Sequence, residues 1–432
     1  MSAEKLLRGR VLWFLDEPDG VEDASVYSYS EDGAVLIRDG LIAASGDYAD
    51  VVLRAAEDVE VVDHRPNLLM PGFIDTHIHF PQVQVIGSWA EQLLDWLNTY
   101  TFPEETKFAD ADHSARIASA FFDELLRHGT TSAAAFCSVH RASADAFFAE
   151  AERRNLRMIG GKVMMDRNAP DGVCDTPQSS YDDTKALIEA WHGKGRGLYA
   201  VTPRFAITST PEQMEMAQAL AGEHPDCYVQ THLSENHNEI ALTAELYPEA
   251  RDYLDVYEHY GLLGPKSLFG HCMHLKERER SAMAETGSVA VFCPTSNLFL
   301  GSGLYDEAGL KDQNIRRAIA TDVGGGTNYS MLRTLDEGYK ILQLQRQRVH
   351  PLKSFYWITL GNARCLSLED KIGTLDAGTE ADIVVLDSRA TSAMALRMET
   401  VTSLSEELFV LQTMGDDRAI AGTYVAGDAV GL

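Results

Sequence analysis

His77 and His79, in the segment DTHIH, are separated by a single residue. On a β-strand that spacing puts both imidazoles on one face, because side chains alternate from side to side. Further along stand His232 and Glu235 in THLSE, His271 in GHC and Asp322 in ATDVGGG. Three imidazoles and one carboxylate drawn from these residues would suit a single divalent zinc that keeps water as a further ligand. Water on zinc ionises near neutral pH, so these residues point to metal-assisted hydrolysis. Each residue alone has an ordinary explanation: a core histidine can be satisfied by its neighbours, and an aspartate can cap a helix or a turn. What argues for one site is that together they fall at the same end of different β-like runs. A two-metal centre would need a bridging group, often a lysine at the end of the fourth strand. No lysine lies between Leu198 and Pro265, and Lys162 falls early in the third run, so one metal is expected.

Such a centre needs a scaffold that gathers distant segments. The first 70 residues are short apolar runs broken by turn signals, the texture of antiparallel sheet. From about residue 73, β-like runs alternate with helical patterns at 113–129, 143–154 and 329–349, the last stopping before Pro351. Eight runs can be placed, at 73–79, 131–139, 157–166, 198–205, 227–235, 267–272, 288–297 and 316–324. Eight strand–helix units predict an α/β fold, a (β/α)8 TIM barrel over 71–370, whose active site lies at the C-terminal strand ends. β-like texture returns after residue 370, so 1–70 and 371–432 are expected to form one small β-sandwich domain from both chain ends.

Composition narrows the partners. The 432 residues hold 65 acidic and 37 Lys or Arg side chains, a formal net charge of -28. That field repels phosphate backbones, so no nucleic acid polymer is expected, whereas a nearly neutral base is not disfavoured. No apolar stretch approaches the roughly 18 residues of a membrane span, and the N-terminus does not read as a signal peptide. The six cysteines include no CxxC pair, which fits a reducing cytosol. GxGxxG, GxxxxGK, HxE with PCxxC, and GxSxG patterns are absent, which argues against phosphate loops, cytidine-deaminase-type zinc sites and serine hydrolases.

The segments PGFIDTHIH (71–79), THLSE (231–235), GHC (270–272), TDVG (321–324) and GTLDAGTEADIVVLD (373–387) resemble the amidohydrolase superfamily. HFPQ (79–82), LLDWLNTYTFPEE (93–105), PRFAIT (203–208) and CPTSNLFLGSG (293–303) narrow the resemblance to the guanine deaminase family, over nearly the whole chain. The resemblance implies zinc on His77, His79, His232 and Asp322, with Glu235 as proton shuttle, His271 in the active site, and Gln82, Arg204 and Phe205 as base-binding residues. It also implies a cytoplasmic enzyme, a homodimer, that hydrolyses guanine to xanthine and ammonia. The side chains fit that chemistry. Arg204 is a fork of donors suited to a carbonyl such as O6, Gln82 can donate and accept along a purine edge, and Phe205 can pack on a flat ring.

Other readings stay open at this point. The same ligands serve deaminases or chlorohydrolases of other heterocycles, such as 8-oxoguanine, a pterin or a triazine. A barrel that has lost its metal would be a non-catalytic scaffold, but it would be expected to have lost ligands too. Trp89, Trp96 and Phe102, in the long connection after the first barrel strand, read equally as a water-excluding lid or as a packed rim.

Overall fold

The structure, a computed structural model, describes residues 4–20, 23–89 and 92–431. The first strands, β1 (Glu4–Phe14), β2 (Tyr27–Arg38) and β3 (Leu41–Asp47), pair as an antiparallel meander. The chain then departs from the purely antiparallel sheet expected of its first 70 residues. Helical turns at Tyr48–Val51 and Val52–Arg54 carry it over one face, and β4 (Glu60–Pro71) pairs with the other edge of β1 in parallel. A hairpin cannot reach a parallel partner, so a crossover is required. Val51 fastens that crossover onto Leu6, Ala34, Leu36 and Ala44.

One residue later the barrel begins. Its strands are β5 (Phe73–His79), β6 (Thr130–Phe136), β7 (Arg157–Gly161), β8 (Val163–Met164), β9 (Leu198–Pro203), β10 (Tyr228–Leu233), β11 (Ser267–His271), β12 (Val289–Phe292) and β13 (Arg316–Ile319). They form a parallel ladder in the order β5-β6-β7-β9-β10-β11-β12-β13, and β8 prolongs the third run and pairs with β9. All eight runs expected from the sequence are therefore strands of one nearly closed barrel. The ladder stops between β13 and β5, where the chain just past β13 closes the ring. The Asp322 N–H donates to the His77 carbonyl at 2.9 Å, and Thr76 Oγ1 donates to the Ile319 carbonyl at 3.1 Å.

Small and branched side chains fill the lower barrel, among them Ile74, Ala134, Ile159, Ala200, Leu268 and Val291. Leu366, Leu368 and Ile372 plug its N-terminal mouth, where Tyr228 Oη donates to the Leu366 carbonyl at 2.7 Å. Helices at Ala111–Arg127 and Arg141–Arg153 match the expected patterns to within two residues. The helix expected over 329–349 spans only Met331–Leu344. Arg346 takes a φ of 62°, and the Gln347 N–H then reaches back to the Leu342 carbonyl at 2.9 Å, the left-handed exit that ends a helix.

The chain's end returns to the first sheet through β14 (Ile383–Leu386), β15 (Ile420–Val425) and β16 (Asp428–Ala429). The result is one mixed seven-stranded sheet, β16-β15-β14-β4-β1-β2-β3, made from both chain ends. Alternation decides which side chain goes where: Leu68 and Met70 join the main core against the barrel, while Leu69 between them packs with Leu7, Val11 and Val385. The helix Leu404–Met414 packs on the barrel helices Met331–Leu344 and Pro351–Tyr356. Among the described residues no helix is long and apolar enough to cross a membrane.

A cluster of charges ties sheet to barrel. Glu380, just before β14, accepts from Arg157 of β7 and from Arg196, whose Nε lies 2.9 Å away, and Arg196 also pairs with Asp382. Burial raises the Glu380 pKa, but the two guanidinium groups outweigh it and hold the carboxyl below its usual range. Its contribution is therefore full above the unfolded glutamate value and fades as pH falls through the lowered folded value. Replacing Glu380 with Ala should cost on the order of 3 kcal/mol at pH 7, measured by chemical denaturation. The gap to the wild type should narrow in acid, below about pH 4.5; a gap unchanged in acid would contradict this account.

Candidate active site

The C-terminal rim of the barrel gathers the residues expected from the sequence. His77 and His79 come from β5, Gln82 from the turn Phe80–Gln82 that follows, and Arg204 and Phe205 from the chain just past β9. His232 lies in β10 with Glu235 just beyond it, His271 ends β11, and Asp322 stands three residues past β13. His79, Gln82, Arg204, Phe205, His232, Glu235, His271 and Asp322 line one pocket with Leu93, Trp96, Leu97 and Leu300. The backbone bends sharply to aim some of these groups. Ser234, His271, Cys272 and Asp322 all have positive φ, a conformation that costs a non-glycine residue about 1 kcal/mol or more.

His79 Nε2 lies 3.3 Å from His77 Nε2 and 3.1 Å from His232 Nε2. Asp322 Oδ1 is 3.4 Å from both His77 Nε2 and His79 Nε2. His232 Nδ1–H donates to the Arg204 carbonyl at 2.7 Å, which leaves its Nε2 lone pair facing inward. Burial pushes the His79 pKa down to about 4 against the pull of Asp322, and burial also drives His232 well below its usual value. Neutral, buried imidazoles whose lone pairs converge beside a carboxylate lack a positive charge at their centre. That is the donor set and protonation state a divalent metal requires, so the residues fit one.

Gly270 makes this packing possible. A Cβ there would stand 2.5 Å from the His77 ring, so the residue before His271 has to be glycine for the imidazole to keep its place. Beneath the site Asp75 accepts from the backbone N–H of Thr321 at 3.1 Å and of His77 at 3.3 Å, locking β5 to the closing segment. Cys293 also lies within ligand distance of His77, His271 and Asp322. Burial holds its thiol well above the ordinary value. Lys162 is fully buried and its ammonium pairs with Asp175.

On the other side of the pocket, Asn297 Nδ2 donates to His271 Nδ1 at 3.0 Å, so the ring proton sits on Nε2. That Nε2–H faces Glu235 Oε2 at 3.3 Å. Glu235 is 3% exposed and accepts from Ser302 Oγ at 3.0 Å. Burial, then the nearby charges of Glu239 and Asp322, raise its pKa well above the usual carboxylate value.

Arg204 is no surface residue. It is 3% exposed, and its Nη1 donates to Glu105 Oε1 at 2.9 Å and Oε2 at 2.7 Å. Phe205 is buried, with its ring 6.1 Å from that of His232. In the segment after β5, Trp96 and Phe102 are buried with Leu93, Leu97 and Phe205, and the Arg204 guanidinium lies 5.4 Å from the Phe102 ring. Trp89 is exposed, and residues 90 and 91 of this segment lie outside the described residues. Glu105, Asn297 and Ser302 were not singled out by sequence reasoning. Their signal was present, since all three fall inside the motifs LLDWLNTYTFPEE and CPTSNLFLGSG.

Replacing Gly270 with Ala should displace the His77 ring and lower bound metal roughly tenfold or more in affinity, although Gly270 is no ligand. Metal analysis after dialysis, with circular dichroism to confirm the fold, checks this; full metal retention would show that the ring tolerates the methyl group.

The chain as a whole is similar to known proteins. The Amidohydrolase family model matches residues 68–430. A guanine deaminase from Escherichia coli is 48% identical over 416 residues, covering 96% of this chain and 94% of that one. A probable guanine deaminase from Deinococcus radiodurans is 39% identical over 433 residues, covering 99% and 98%. The solved structure of E. coli guanine deaminase superposes with a TM-score of 0.97 at 47% identity, covering 99% of each chain.

Proposed function

The chain belongs to the amidohydrolase family and, within it, to the guanine deaminases, and we propose that Glu235, His271 and Asp322 carry out its chemistry on a base held by Gln82, Arg204 and Phe205. The reaction is the hydrolytic deamination of guanine to xanthine and ammonia with a metal-activated water. The observation that carries the residue assignment is the convergence, in one buried pocket, of a metal-ready ligand set, a carboxyl that favours its protonated form and a buried guanidinium. We assign zinc, one per chain, to His77, His79, His232 and Asp322, because three imidazoles and a carboxylate are borderline donors matched to that ion. When bound, the metal supplies the acidity that makes water a nucleophile near neutral pH.

Guanine C2 is electron-poor, since two ring nitrogens flank it. Glu235 accepts the proton of the attacking water and delivers it to N3, which drives electron density away from C2. Its raised pKa suits this task, because it brings the carboxyl nearer to the working pH, where it can take the water's proton and give it up again. His271 Nε2–H donates to the oxygen on which charge develops, and Asn297 keeps the proton on that nitrogen. Asp322 orients the water, takes the second proton and loads it onto the leaving amine. The C2–N bond then breaks, ammonia departs and xanthine remains.

Arg204 donates to O6, Gln82 reads the neighbouring rim of the base, and Phe205 packs on the ring. Adenine offers no carbonyl at that position, so the donors of Arg204 that face the base would find no acceptor there. The six free cysteines support a reducing, cytoplasmic setting.

Glu235→Gln should keep its metal and lose roughly 10²- to 10⁴-fold in kcat, read as ammonia release from guanine. Near-normal turnover in that variant would remove Glu235 from the chemistry. Arg204→Ala should raise KM for guanine about tenfold or more with metal content intact; unchanged kinetics would remove it from the site.

A further inference from the structure

Gln82 and Arg204 share one carboxylate. Glu105, from the end of the helical segment Phe102–Glu105, is almost fully buried. Its Oε1 accepts from Gln82 Nε2 at 3.0 Å and from Arg204 Nη1 at 2.9 Å, and its Oε2 accepts from the same Nη1 at 2.7 Å. A carboxylate beside a guanidinium only accepts hydrogen bonds, so the amide of Gln82 has to turn its NH2 toward Glu105. The other end of the amide meets a donor, the N–H of Gly324, at 3.4 Å from Oε1. Two independent neighbours thus impose the same orientation, and the one acceptor that Gln82 has is kept away from Glu105.

We propose that Glu105 is a specificity-determining positioning residue: by fixing the amide of Gln82 and the fork of Arg204 together, it sets an acceptor beside a donor for the lactam edge of a purine. This rests on the reading that Gln82 and Arg204 contact the base. On guanine that edge is O6, an acceptor, next to N1–H, a donor. Arg204 supplies the donor for O6, and Gln82 Oε1 supplies the acceptor for N1–H. A base with an amino group at C6 and a bare N1, such as 2,6-diaminopurine, presents the reverse pattern. It carries the same 2-amino group, so hydrolysis at C2 would follow the same course and release ammonia and a 6-amino-2-oxopurine. What refuses it is the fixed pattern of donors and acceptors, and that pattern depends on Glu105, which need not touch the substrate.

Glu105→Gln preserves shape and volume but replaces one acceptor oxygen with a donor. It removes the charge that holds Arg204 and frees the Gln82 amide to rotate. The test compares kcat/KM for guanine and for 2,6-diaminopurine in the metal-loaded wild type and in the E105Q, E105D, Q82A and R204A variants, with metal content and thermal midpoint measured on each. The expected result is that E105Q keeps its metal, loses roughly ten- to a hundredfold on guanine and loses much less on 2,6-diaminopurine, so that selectivity falls about tenfold or more. E105D, which keeps an acceptor-only carboxylate, should lie between E105Q and the wild type. An equal loss on both substrates in E105Q, or a selectivity lower in E105D than in E105Q, would overturn the proposal and leave Glu105 a structural residue. If Q82A and R204A themselves leave guanine KM and selectivity unchanged, the base-contact reading fails first. If they lower selectivity and E105Q does not, the inference about Glu105 fails alone.

Discussion

The constraint on which the rest of this structure depends is the crowding of His77, His79, His232 and Asp322 at the barrel's C-terminal mouth. Their nitrogens lie between 3.1 and 3.3 Å apart along the chain of contacts, with a carboxylate 3.4 Å from two of them. Lone pairs so arranged repel one another unless a cation lies among them, and burial makes protonating His79 and His232 costly. The arrangement survives because rigid neighbours leave each ring no alternative. Gly270 vacates the space that His77 fills, the Arg204 carbonyl fixes His232, and the backbone of Asp322 is bonded to that of His77.

That last bond is also the seam of the barrel. The strand ladder leaves β5 and β13 unpaired with each other, and the ring is closed by His77 and Asp322, members of the same cluster. Asp75 reinforces the closure from below through Thr321, and burial pushes its pKa up to about 6. Stability and chemistry therefore meet at one place. The left-handed backbone at His271 and Asp322 is local strain of the kind that only a well-packed surrounding holds in place.

Around this centre the pocket is polarised. One side carries Glu235 with its neighbours His271 and Ser302, groups able to hold and pass a proton. The other carries Arg204, Gln82 and Glu105, a buried ion pair and amide whose pattern of donors and acceptors is rigid because every partner is specified. Leu93, Trp96 and Leu97 complete the wall, so these polar contacts act in a setting where water competes little.

Much of this could be read from the chain. Alternation and periodicity located all eight barrel strands, and the HxH spacing together with THLSE, GHC and TDVG marked the residues that gather at the rim. These are local properties, set by side-chain type and by repeats of two or 3.6 residues, so they are written in the sequence itself. The parallel pairing of β1 with β4 was not legible, since pairing direction depends on where a crossover lands. Nor was the early end of the helix at Leu344, which hangs on a single left-handed residue, Arg346. Glu105 stood inside a recognisable motif, yet nothing in its type or spacing tied it to Arg204, 99 residues away. Which residues could do chemistry was determined by the sequence alone. Which of them touch, which way an amide faces and which imidazole nitrogen keeps its proton were decided only by tertiary structure, because those depend on distances between segments that are remote along the chain.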